Sequence, residues 1–185
     1  MLFMIPLAAR ASRHPRTLAI TLAALVAASA ATPVAAADTG TVGATVTVRA
    51  AACLELSTTS IGFGSLALGA EDQPATPDVV VTNCSTTSAT LLARGSDAAD
   101  AAVSWNLIDV DATCGSPLFP QDSYRLSLAV ASVPTPIRLA ETNKTIQSLA
   151  GSASATHTAR IWTACPGSTG IGATLSMQIT YLATS

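Results

Sequence analysis

Beyond residue 40 the apolar side chains recur at every second position, the period of a strand with one buried face. Val42, Ala44, Val46 and Val48 alternate with small or polar residues, as do Val79 and Val81, and then Val103, Trp105 and Leu107. Tyr124, Leu126, Leu128 and Val130 make a further stripe. The most regular one is Leu175, Met177, Ile179 and Tyr181, with Thr174, Ser176, Gln178 and Thr180 facing the other way. Clusters of turn formers separate these runs, among them Gly62 to Gly69, Gly95-Ser96-Asp97, Cys114-Gly115-Ser116-Pro117, Pro134-Thr135-Pro136 and Pro166 to Gly170. No segment in this part carries a sustained 3.6-residue stripe, and Ala98 to Ala102 has room for one helical turn and no more.

Strands that bury one face each need a second layer to bury it against. The pattern therefore predicts an all-β fold, an immunoglobulin-like β-sandwich of about seven to nine antiparallel strands, with a closed barrel as the alternative. Trp105 and Trp162 are the largest apolar side chains, and at least one is expected to fill the core. Trp162 would share a strand face with Arg160 and is the candidate contact residue for a sugar ring or a partner.

The N-terminal segment follows another pattern. Arg10, Arg13 and Arg16 precede an uncharged run from Thr17 to Thr32, and Val34-Ala35-Ala36-Ala37 precedes Asp38. Charge, apolar run and small residues in that order predict a secretory signal over residues 1–37, cleaved before a single domain over 38–185. The apolar run ends at Pro33 and, at about 16 residues, falls short of the roughly 20 that a membrane-spanning helix needs. The expected location is outside the cell or on its surface, reached through the periplasm in a cell with two membranes, with no span left after the signal is removed.

Composition sharpens this. Hydrophobic residues make up 49% of the chain and charged residues 11%, the reverse of an ordinary disordered chain. With the three signal arginines removed, six Lys or Arg face eleven Asp or Glu, a formal balance of −5. Nucleic acid and anionic membranes both call for a clustered basic patch, so neither is expected as a partner.

The cysteines, Cys53, Cys84, Cys114 and Cys165, all lie in the exported part. An even number in an oxidising compartment predicts two disulfides, with three pairings open. Cys53 with Cys84 and Cys114 with Cys165 is favoured, because the first pair brackets a strand-turn-strand unit and the second ties a mid-chain loop to a late strand.

The inventory for catalysis is thin. Beyond the signal there is a single histidine, His157, in what reads as a strand interior, where a surface or interface residue is expected, and no G-x-S-x-G turn accompanies it. Glu71-Asp72, Asp97 with Asp100, and Asp109 with Asp111 sit in or beside turns, where paired acids are usually solvated. Asp109, Asp111 and Asp122 would suit at most a weak calcium site. No cofactor, no metal site and no catalysis are expected. Asn83-Cys84-Ser85 and Asn143-Lys144-Thr145 match the N-glycosylation pattern.

One arrangement points to a family. The alternating run Thr45-Val46-Thr47-Val48, then Cys53, then Ile61-Gly62-Phe63-Gly64, then Val79-Val80-Val81-Thr82-Asn83-Cys84 resembles the opening of secreted spore coat protein U and related fimbrial subunits. The strand Leu175 to Tyr181 is similar to the closing strand of such subunits, and residues 95 to 165 fall outside the pattern. The resemblance implies an extracellular structural subunit that polymerises by donating a strand to its neighbour. Val42, Ala44, Val46 and Val48 have the alternation that such a donor segment needs, although the same residues would serve equally as the first strand of their own domain. The expected function is thus a non-catalytic structural or adhesive protein of the cell surface, with copies of itself or other surface proteins as partners. The alternative is an extracellular module that binds carbohydrate or protein through loop-end residues such as Trp162 or Phe119 and the Asp109 to Asp122 loop.

Overall fold

The computed structural model describes residues 39–50 and 53–184; the predicted signal, residues 1–37, lies outside them. Among the described residues the chain is all strand and loop. The strands are β1 (Thr39–Ala50), β2 (Leu54–Leu56), β3 (Ser60–Ala67), β4 (Gln73–Pro74), β5 (Val79–Asn83), β6 (Ala89–Arg94), β7 (Ala98–Ala99), β8 (Ser104–Leu107), β9 (Ser123–Val130), β10 (Val133–Arg138), β11 (Lys144–Leu149), β12 (Ser154–Trp162) and β13 (Thr174–Thr184).

Hydrogen bonding joins all thirteen into one curled, mixed sheet. One half is built around β13, which pairs with β6 on one side and β1 on the other, with β11 beyond β6 and β3 beyond β1. The other half is built around β12, flanked by β9 and β5, with β10 beyond β9 and β2 beyond β5. β7 and β8 connect the halves, because β7 pairs with β13 and with β8, and β8 runs parallel to β9. The core lies where the curl brings the halves together: Leu175, Ile179 and Tyr181 of β13 and Leu126, Leu128 and Ile161 of β9 and β12 are all at most 1% exposed.

The all-β expectation holds. The strand count is higher than expected and the pairing is not purely antiparallel, since β1–β13 and β8–β9 are parallel. Interruptions explain much of the excess. β6 and β7 lie along the same edge of β13 and β4 and β5 along the same edge of β12, each pair separated by a short break. At the first break a Cβ on Gly95 would come within 2.6 Å of Leu107 Cδ2, so any larger residue there would have to push the Leu107 methyl aside. Ala98 to Ala102 does not form the helical turn for which its composition leaves room. Ala98–Ala99 is strand β7, and the Asp100 carboxylate accepts the amides of Ala102 and Val103 in a turn that hands the chain to β8. Those two backbone hydrogen bonds also hold the Asp100 carboxyl below its ordinary pKa.

Candidate functional site

β1 occupies the most consequential position in the sheet. It runs parallel to β13 from Thr41↔Thr174 to Ala50↔Ala183, and antiparallel to β3 from Thr39↔Ala67 to Thr45↔Ser60. Its alternation fits that slot: Val42, Ala44 and Val46 are 2%, 3% and 0% exposed, while Thr41 and Thr45 face outward. Val48 lies in register with Tyr181. Burial of a valine side chain contributes on the order of 2 kcal/mol, so the segment is held by core packing as well as by two ladders. β3 has no other strand as a ladder partner among the described residues, only an isolated bridge from Gly62 to Thr76. β1 therefore separates two strand edges that would otherwise be open. Past Thr45 its β3-side edge keeps, among the described residues, one backbone hydrogen bond, from Val46 to Thr59 O, and a cavity of about 420 Å³ lined by Val46, Thr47 and Leu56 opens beside it.

A second constellation lies on the far side of β9. Tyr124, Leu126, Leu128 and Val130 point into the core as their period requires, yet Ser123, Arg125 and Ser127 on the opposite face are also buried. Register builds the site. Arg125 lies opposite Trp162, and Ser127 lies between Arg160 of β12 and Arg138 of β10. The Arg125 guanidinium carbon sits 3.9 Å from the centre of the Trp162 ring, and Nη1 donates to Asp111 Oδ1 at 2.9 Å and to Ala112 O at 3.4 Å. Arg138 pairs with Asp109 and Asp111, Lys144 with Asp109, and Arg160 with Asp72. Four of the six cations beyond the predicted signal, which the sequence scatters, are thus gathered with three acids around one face. Asp72, Asp111, Arg125 and Arg138 of this group line, with Ser127 and Trp162, a cavity of about 300 Å³. Two of its buried polar atoms, Arg125 Nε and Ser127 Oγ, have no hydrogen-bond partner among the described residues.

Trp162 thus differs from the expected open stacking platform, because one face of its indole already carries Arg125. Phe119 is 5% exposed and packs with Ala112 and Cys165 in a small satellite core, so it offers no contact surface; Leu118 beside it is 62% exposed. Trp105 is the core tryptophan, 3% exposed, with its Nε1 donating to Thr169 O.

Asp109, Asp111 and Asp122 are not brought together. The first two face the basic cluster, and Asp122 accepts the amide and hydroxyl of Thr169. Among the described residues no three His, Cys, Asp or Glu groups converge as metal ligands do. Cys53 is bonded to Cys84 and Cys114 to Cys165. The second bond fastens the loop of residues 108–122, which covers Arg125, to the end of β12.

His157 is fully buried rather than at a surface. Its Nδ1 lies 3.0 Å from Tyr181 Oη and its Nε2 3.0 Å from Gln147 Nε2, so it links β12 to β13 and β11. Burial lowers its pKa to about 4 and raises that of Tyr181, which keeps both neutral. Asn83 is also fully buried, and its side-chain amide donates to the carbonyls of Thr87, Leu149 and Ala150, which removes it as a glycan acceptor; Asn143 is exposed.

Neither a protein-family model nor a curated protein matches this chain.

Proposed function

We propose that the protein is a secreted, non-catalytic structural subunit of the cell surface that assembles by strand donation, with β1 as the donated strand. The observation that carries this reading is the place of β1 between β13 and β3. A terminal strand fills a slot whose two edges meet no other strand there, and the slot accepts alternating apolar side chains. Parallel pairing in one sheet needs a long crossover, and here β1 and β13 are separated by the whole domain. The same ladder can therefore be completed by a β1 from another copy, with no change in its hydrogen bonds. On this reading the curled sheet is an incomplete immunoglobulin-like sandwich that the donated strand completes. Two further observations accord with it: the mature histidine is tied into the core by both ring nitrogens, and the cysteines are paired as an oxidising compartment allows.

The test places one cysteine on each side of the ladder. Thr41 and Thr174 are in register and both exposed. In the Thr41→Cys/Thr174→Cys variant, donation between copies predicts a ladder of disulfide-linked species on non-reducing gels. Cross-linking confined to single chains, at protein concentrations where the unmodified protein is oligomeric, would sink the proposal. A chain beginning at Ala50 should in addition lose solubility and recover it when a Thr39–Ala50 peptide is supplied.

A further inference from the structure

We infer that the cavity over β9 is a binding site for a carboxylate-bearing sugar, with Arg125 and Ser127 as its anchors. This inference does not rest on strand donation, since β1 contributes nothing to the cavity.

The argument begins with what is buried and unpaired. Arg125 is 6% exposed and Ser127 is 1% exposed, and each has a buried polar atom without a partner among the described residues. A buried donor left without a partner is destabilising, and native proteins rarely keep one unless something else satisfies it. The hydrogen bonds of Arg125 all leave from Nη1. Nε, which with Nη2 forms the edge by which arginine grips a planar oxyanion through two parallel hydrogen bonds, makes none among the described residues. Trp162 holds the guanidinium plane from one side and Asp111 fixes Nη1, so the free edge is already oriented. Ser127, between Arg160 and Arg138 in the ladder, supplies a hydroxyl donor in the same cavity.

The rim suits a ligand that carries hydroxyls beside its acid group. Asp72 and Asp111 line the cavity with side chains 51% and 78% exposed. Both carboxylates are ion-paired, Asp72 with Arg160 and Asp111 with Arg125 and Arg138, and their remaining lone pairs accept hydrogen bonds from the hydroxyls of a sugar. Trp162 and Pro136 add apolar wall, against which the C–H face of a pyranose packs. A cavity of about 300 Å³ is at the lower end of ligand pockets, which suits a single sugar residue. One acid group, several hydroxyls and one apolar face describe a hexuronic acid, alone or at the end of a glycan.

Titration calorimetry of the purified protein with D-glucuronate, D-glucose, acetate, inorganic phosphate and a dipeptide with a free C-terminus tests the assignment. Glucuronate is expected to bind saturably and at least ~tenfold tighter than glucose, which lacks the acid, and than acetate, which lacks the hydroxyls. Arg125→Lys keeps the charge but loses the bidentate edge, and should weaken glucuronate ~tenfold or more. Ser127→Ala removes a single hydroxyl with no demand on folding and should weaken it ~fivefold. Glucose matching glucuronate, no saturable heat with glucuronate, or wild-type affinity in Ser127→Ala would overturn the proposal. Tighter binding of phosphate or of the dipeptide would overturn it too, by assigning the arginine edge to another ligand.

Discussion

The slot that holds β1 and the outer face of β9 are both buried, and they are buried for opposite reasons. In the slot, Val42, Ala44 and Val46 leave water with nothing polar on that face, and the backbone groups are satisfied by ladders on both sides. On the outer face of β9 an arginine and two serines leave water, and Arg125 Nε and Ser127 Oγ stay unpartnered. Hydrophobic burial accounts for the first region without further assumption. It cannot account for the second, where the cover is a loop fastened by Cys114–Cys165 and the residues beneath it hold charge in a fixed orientation. The contrast separates a region whose composition serves cohesion from one whose composition serves contact.

The harshest test of that contrast removes the fastening. The Cys114–Cys165 bond spans 51 residues, and on chain-entropy grounds Cys114→Ser/Cys165→Ser should lower unfolding stability by about 4 kcal/mol, read by urea titration. Amide hydrogen exchange in that variant should rise first around residues 108–127 while β13 stays protected. Equal loss of protection in β1 and β13 would mean that the two regions are not separable.

Acid comes next. Folded His157 resists protonation down to about 4, whereas in an unfolded chain it takes a proton near 6.5. The unfolded state therefore binds more protons within that window, and stability falls as pH falls through it, by up to ~3 kcal/mol. His157→Gln should flatten this slope between pH 7 and pH 4; an unchanged slope would show that the carboxylates, not the His157–Tyr181 link, set the acid sensitivity.

A smaller change probes the slot alone. Val46 is 0% exposed, so Val46→Ala should cost ~2 kcal/mol and loosen β1 ahead of the rest of the sheet. Arg125→Met should cost least, ~1 kcal/mol or below, because its partner Asp111 is left in solvent and not buried alone. A loss as large as that of Val46→Ala would make Arg125 a structural residue and erase the contrast.

The apolar stripes were legible because a strand displays its period locally. The five stripes read from the sequence lie in β1, β5, β8, β9 and β13, with Ala44, Val79, Leu126 and Ile179 all buried. The break at Gly95 was marked as a turn, but the close approach of the Leu107 side chain that crowds the position was not visible. His157 and Asn83 carry polar side chains in strands and looked available; only their buried partners show that they are engaged.

By itself the sequence determined that this chain makes strands, which face of most of them is apolar, and that Val42 to Val48 could fill a groove. Those properties follow from side-chain alternation within a few residues. The tertiary structure decided that β1 lies between β13 and β3, that Arg125 faces Trp162 and Ser127 lies between two arginines, and that the loop before β9 folds onto Arg125 through Asp111 and Ala112. Strand order and register bring together residues far apart in the chain, and no local pattern encodes which strand will be the neighbour.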